Sequence, residues 1–292
     1  MMNEPQNLIL QSSQPISTVQ INVVLATFPI IKKYEVINSC TIKFTSTFYF
    51  NRTQRKAIQK FCSENNFDFS FVKNDVYLSE FKLAIFDMDL TLINIECIDE
   101  IAETIGKKYE MSQLTELAMK DINVDYDESL KFRVNLLKGI NSSIFEEIFN
   151  TKVKYTPGSI ELIKELKKAG LKIALVSGGF TYFANRVANE LDIDFVTSNK
   201  LEESDSILTG KIIPPIINVD TKEKTLLELC KKLDILPRQC IAIGDGANDL
   251  KMLKKSGLSV GYNPKNALLP YLNVMIKNLH LDSLLNIFSH HK

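Results

Sequence analysis

Five short runs rich in Ile, Leu and Val, spaced by helical patterns, limit the fold of this chain more than any other feature. They are Leu83–Phe86, Lys172–Val176, Gln239–Ile243, Leu258–Val260 and Val274–Ile276. Each is too short for a helix and lacks the polar alternation of a strand with one wet face, so each reads as a strand buried on both sides. Between them, Ser159–Ala169 has Ile160, Ile163 and Leu166 at helical spacing and stops at Gly170. Thr225–Leu233 and Ala247–Ser256, the latter ended by Gly257, follow the same rule. Such alternation defines an α/β chain with a parallel sheet and helices on both faces.

Two regions break the alternation. Cys97–Asn150 offers only helical patterns and is far longer than a simple crossover needs. We expect a helical insert after the first strand, residues 97–155, standing over the sheet and forming a cleft with it. Residues 1–80 carry strand-like runs at Val19–Thr27 and Thr41–Phe50 and a helix at Arg52–Asn65, enough for a small N-terminal α+β domain ahead of a main domain at 81–292. The apolar run Ile21–Ile31 is too short to cross a bilayer, contains Pro29 and reads as a strand.

The partner class follows from charge. Thirty-five basic residues balance 35 acidic ones, which gives nucleic acid or an anionic membrane surface no hold and leaves a small molecule as the expected partner. Cys40, Cys62, Cys97, Cys230 and Cys240 are widely spaced and form no CxxC pair, so neither a disulfide framework nor a zinc site is expected. No basic residue precedes Lys32, as a signal peptide would require. A cytoplasmic protein, monomer or homodimer, fits these features. His280, His290 and His291 all lie near the carboxyl end, so carboxylates are expected to do the acid and base work.

In open parallel sheets, ligands gather beyond the carboxyl ends of the strands. Three strands here end in loaded loops: DMDLT at Asp87–Thr91, SGG at Ser177–Gly179 and GDGANDL at Gly244–Leu250. Carboxylates, a hydroxyl and bare backbone amides suit a phosphate and a hard cation. Asp87 and Asp245 can hold Mg²⁺, which prefers oxygen ligands. Gly178 and Gly179 let amides approach an anion at a helix start, and Lys224 can add a positive charge. Other readings fail. GDGAND has Asp249 where a dinucleotide loop needs its third glycine, no P-loop occurs, and Asp121–Glu128 has Tyr126 where a calcium loop needs glycine.

DMDLT, SGG, a lysine ahead of a helix and GDGAND, in that order, together resemble the haloacid dehalogenase (HAD) superfamily of phosphotransferases. ECIDEIAE (Glu96–Glu103), SLKFRVNLLKG, VSGGF, EKTL and IGDGANDL narrow the resemblance to its phosphoserine phosphatase family, over roughly Leu83–Val260. The fold this implies is a HAD-like Rossmannoid sheet with a helical cap. The resemblance implies Asp87 as nucleophile, Asp89 as general acid and then base, and Mg²⁺ held by Asp87, the Asp89 carbonyl and Asp245. It gives phosphate binding to Ser177, Gly178 and Lys224, with Thr91, Gly179, Asn248 and Asp249 around them.

Substrate choice would lie in the insert. Arg133 shares an apolar helical stripe with Leu130, Val134 and Leu137, where it needs an anion. From the pattern alone that anion is either a helix acid or a ligand; the resemblance assigns it the carboxylate of O-phospho-L-serine, with Glu96 on the ammonium and Tyr126 lining the pocket. Leu90 stands where the family usually has serine. Two alternatives remain: a phosphatase for another small phosphomonoester, and a catalytically silent amino-acid sensor with residues 1–80 as its regulatory part.

Overall fold

The computed structural model describes residues 5–73, 75–120 and 125–289. His290, His291 and the first half of the Asp121–Glu128 stretch lie outside the described residues. The N-terminal part runs β1 (Gln6–Gln11), α1 (Thr18–Thr27), β2 (Ile31–Asn38), β3 (Thr41–Ser46), α2 (Arg52–Asn65) and β4 (Asp68–Lys73). Val19–Thr27 is thus a helix, against the strand expected there. Its β-branched residues favour extended chain, but Ser17 caps the helix through a reciprocal box with Gln20, and Ile21 and Val24 bury one face.

Four helices follow β5 (Leu83–Phe86): α3 (Cys97–Glu103), α4 (Lys108–Lys120), α5 (Tyr126–Asn135) and α6 (Ile144–Lys152). These form the expected helical insert. The chain continues as α7 (Ser159–Lys168), β6 (Lys172–Phe180), α8 (Thr181–Glu190), β7 (Phe195–Ser204), β8 (Ile207–Ile213), α9 (Val219–Lys232), β9 (Cys240–Gly244), α10 (Leu250–Lys255), β10 (Leu258–Tyr262) and β11 (Val274–Ile276). Helix α9 starts six residues before the expected Thr225, because Asn218 caps it by accepting from Thr221 N–H at 2.9 Å.

Among the described residues, all 11 strands join one sheet in the order β2-β3-β1-β4-β11-β10-β9-β5-β6-β7-β8. From β11 to β7 the neighbours are parallel. Every side chain of β5 is fully buried at the centre of that run, and each of Leu83, Ile85 and Phe86 contributes about 1.5–3 kcal/mol through burial. The result is a rigid base for the residue that follows, Asp87.

Strand β4 pairs antiparallel with β11, so the N-terminal strands extend the main sheet. Buried Asp68 fixes this seam: its carboxylate accepts from the backbone N–H groups of Lys277 (3.1 Å), Asn278 (3.0 Å) and Leu279 (3.1 Å) and from Asn278 Nδ2 (2.9 Å). The insert docks on the β7–β8 hairpin, where Gly139 N–H donates to Leu208 O (2.9 Å) and Leu208 N–H to Ile140 O (2.8 Å).

Candidate active site

Strand register brings the three loaded loops together. Phe86 pairs with Ile243 of β9 on one side and Leu175 of β6 on the other. Asp87, Asp245 and Ser177 therefore emerge one or two residues beyond a common level, at the same end of the sheet. Asp87, Asp245 and Asp249 offer carboxylate oxygens that lie within 4.8 Å of one another, all buried.

The lysine in this cluster is Lys222. Its ammonium donates to Asp87 Oδ1 at 2.7 Å and to Asp249 Oδ1 at 2.6 Å, with its side chain fully buried. Burial alone would lower its pKa, but Asp249 and Asp87 hold it above the ordinary lysine value. Lys224, expected to fill this role, lies on the outer face of α9, mostly exposed and 3.7 Å from Glu228. The correction is geometric. Lys222 shares the stripe of Leu226 and Leu229, both buried, whereas residue 224 points almost oppositely on a 3.6-residue helix.

Which acids can hold a cation follows from their partners. Both oxygens of Asp249 are occupied, Oδ1 by Lys222 and Oδ2 by the N–H groups of Asp245 (3.2 Å) and Gly246 (3.3 Å). The Asp245 carboxylate accepts no hydrogen bond among the described residues, and burial, then Asp249 and Asp87, push its pKa well up. Burial and Asp249 likewise raise Asp87 to about 6. Two buried acids short of positive charge fit a divalent cation between Asp87 and Asp245, with Asp249 bracing the loop. Asn248 Oδ1, buried and without a partner among the described residues, faces the same need.

Asp89 is buried beside them. Its Oδ1 accepts from the Cys97 thiol at 3.1 Å, and burial pushes it up to about 7 against that hydrogen bond. A Cβ on Gly179 would stand 2.8 Å from Asp89 Oδ2, so a larger residue in the SGG loop would push the Asp89 carboxylate aside. Within that loop Gly179 N–H donates to Ser177 Oγ (2.8 Å), and Asn199 Nδ2 donates to Gly178 O (2.8 Å). Thr91 is buried, with Oγ1 unpartnered among the described residues. Leu90 adopts a left-handed φ of 56°, and its N–H donates to Ile95 O at 3.3 Å.

The insert roofs a narrow cavity of about 20 Å³ lined by Asp87, Asp89, Glu96, Tyr126, Arg133 and Asn248, among others. Glu96 is raised well above its ordinary pKa by burial and by Asp89. Burial pushes the Tyr126 hydroxyl up to about 12, and a Cβ on Gly178 would lie 2.1 Å from that hydroxyl. Arg133 is 2 % exposed and forms no direct ion pair with any described residue; the helix acid nearest to the role its stripe position allowed is Asp99, which feels its charge through an intervening Thr115. The structure thus gathers the expected residues except Lys224. It adds Lys222, Cys97, Asn199 and Thr115, of which only Lys222 had a sequence signal, its place on the α9 stripe.

Comparison with known proteins agrees with this geometry. The model of the haloacid dehalogenase-like hydrolases matches residues 84–254, and the chain belongs to that family. A phosphoserine phosphatase of Polaromonas sp. is 48 % identical over 217 residues, covering 73 % of this chain and 92 % of the relative. A HAD family hydrolase of Salmonella enterica serovar Typhi superposes with a TM-score of 0.82 at 26 % identity, over 97 % of this chain and 98 % of the other. A phosphoserine phosphatase solved as a phospho-aspartyl intermediate analogue gives a TM-score of 0.68 at 34 % identity, over 72 % and 99 % respectively.

Proposed function

We propose that this chain is a Mg²⁺-dependent phosphoserine phosphatase that hydrolyses O-phospho-L-serine to L-serine and phosphate, the last step of serine biosynthesis, in the cytoplasm. The observation that carries this reading is the composition of one cavity. An acid pair for phosphoryl transfer, Asp87 and Asp89, shares it with Arg133, which has no direct ion-pair partner among the described residues, and with half-buried Glu96, which match the carboxylate and ammonium of an amino acid. The similar protein solved as a phospho-aspartyl analogue supports the covalent route.

Asp87 is the nucleophile. Lys222 holds its Oδ1 and favours its ionised form, so the carboxylate is oriented to attack phosphorus and form an acyl phosphate. Asp89, at about 7, can carry the proton that the departing serine oxygen needs, then remove one from the water that hydrolyses the intermediate. Ser177, the Gly178 amide and Asn248 surround the phosphoryl oxygens, and Lys222 adds the positive charge. Asp87, the Asp89 carbonyl and Asp245 would hold Mg²⁺, which neutralises phosphoryl charge as it develops.

Arg133 takes the substrate carboxylate, a planar group suited to guanidinium, and Glu96 takes the ammonium against Tyr126. Residues 97–155 act as the cap that selects substrate, and 1–80 as an accessory part of the 81–292 enzyme. The test is kcat/KM with Mg²⁺ over phosphoserine, phosphothreonine, O-phosphoethanolamine and an aryl phosphate. Phosphoserine should lead clearly. A flat profile would favour a general phosphomonoesterase, and no turnover with or without chelator would favour a silent sensor.

A further inference from the structure

Arg133 reaches the cavity from α5 with an almost wholly buried guanidinium. Its Nε donates to the Ser129 carbonyl one turn back at 3.3 Å, its Nη1 donates to Thr115 Oγ1 at 3.2 Å, and its buried Nη2 has no partner among the described residues. Thr115, on α4 and itself buried, gives its single hydroxyl proton to Asp99 Oδ1 on α3 at 2.9 Å. The direction is fixed, because guanidinium can only donate and a carboxylate can only accept. A hydroxyl between them must receive from Arg133 and give to Asp99.

The interposed hydroxyl changes what Arg133 can do. A direct Asp99–Arg133 pair would occupy the fork of the guanidinium and cancel its charge within the cap. With Thr115 between them, Asp99 sits one residue further away. The arginine keeps a free N–H and most of its charge in a cavity where both are short of partners. Ser129 and Thr115 meanwhile hold two of its three nitrogens, so the third is aimed rather than mobile.

We propose that Thr115 is a positioning residue for specificity: it orients Arg133 and separates it from Asp99, so that the free Nη2 receives the carboxylate of a phosphorylated amino acid. This rests on the phosphoserine reading above. It predicts that the Thr115 hydroxyl matters for substrates carrying a carboxylate and not for the phosphoryl chemistry, which takes place on the sheet side of the cavity.

The test compares phosphoserine with O-phosphoethanolamine, which keeps the phosphate and ammonium and lacks the carboxylate. Thr115→Val should raise KM for phosphoserine about tenfold, leave kcat within about twofold, and leave O-phosphoethanolamine unchanged. Thr115→Ser, which restores a hydroxyl, should recover the wild-type KM. Equal losses on both substrates, or no recovery in Thr115→Ser, would overturn the proposal and leave Thr115 as mere packing among three helices. If Thr115→Val does not fold, Thr115→Ala must show the same substrate-selective loss. The wild-type comparison separates the two claims: equal kcat/KM for both substrates in the unaltered enzyme would sink the phosphoserine reading itself.

Discussion

The ammonium of Lys222 lies 2.7 Å from Oδ1 of Asp87, joining a helix on one side of the sheet to the end of its central strand. Its second bond, to Asp249 at 2.6 Å, makes it the link between nucleophile and metal-side loop. Lys222→Ala should therefore lower kcat by about 10²–10³, the usual result of removing a charged donor from a closed site. Lys224→Ala, two residues away on the exposed face, should stay within about twofold of wild type. Steady-state kinetics on the pair of variants decides between them.

Removal of the cation is the second prediction. Asp245 and Asp87 lack enough positive charge of their own, so Mg²⁺ should raise the melting temperature of chelator-treated protein, by about 2.7 kcal/mol of stability at a hundredfold excess over Kd. Asp245→Asn should abolish that shift while folding normally. Differential scanning fluorimetry reads it without reference to turnover.

Arg133 gives a third. Arg133→Ala should raise KM for phosphoserine by about 10- to 100-fold, the worth of a hydrogen bond to an ionised group, and spare an aryl phosphate. Equal losses on both substrates would mean that the arginine only supports the cap.

A fourth concerns stability and pH. Burial alone would raise the Asp194 carboxyl, but Lys172, at 2.6 Å, and the Ile173 N–H, at 2.9 Å, outweigh it and hold it below its ordinary value. An acid held lower in the folded state contributes stability above its unfolded pKa of about 3.9 and loses it as pH falls through the folded value. Asp194→Asn should thus melt about 1–3 °C below wild type at pH 7, and the gap should close below about pH 4. A gap that persists at pH 2 to 3 would contradict the sign, and thermal melts across that range measure it.

Much of this was legible in the sequence because it depends on local pattern. The runs Leu83–Phe86 and Val274–Ile276 and the helix Arg52–Asn65 have the bounds that burial and helical spacing indicate. The acids of DMDLT and GDGANDL meet because parallel register requires it. What failed depended on element starts and on tertiary contact. A start at Thr225 leaves out the inward stripe that holds Lys222, and the β-branched run Val19–Thr27 reads as a strand although the structure caps it as a helix at Ser17. Thr115 carries no motif, and Cys97 lies inside ECIDEIAE without being marked by it as a site residue. Their roles arise only when α3 and α4 pack against Arg133 and Asp89.

The most direct measurement is trapping of the covalent intermediate. Enzyme mixed with phosphoserine and Mg²⁺, quenched in acid within one turnover and mapped by mass spectrometry, should carry a phosphoryl adduct on the peptide containing Asp87, and folded Asp87→Asn should carry none. An adduct on another residue, or free phosphate released at full rate with no phosphoryl-enzyme at any quench time, would contradict the account.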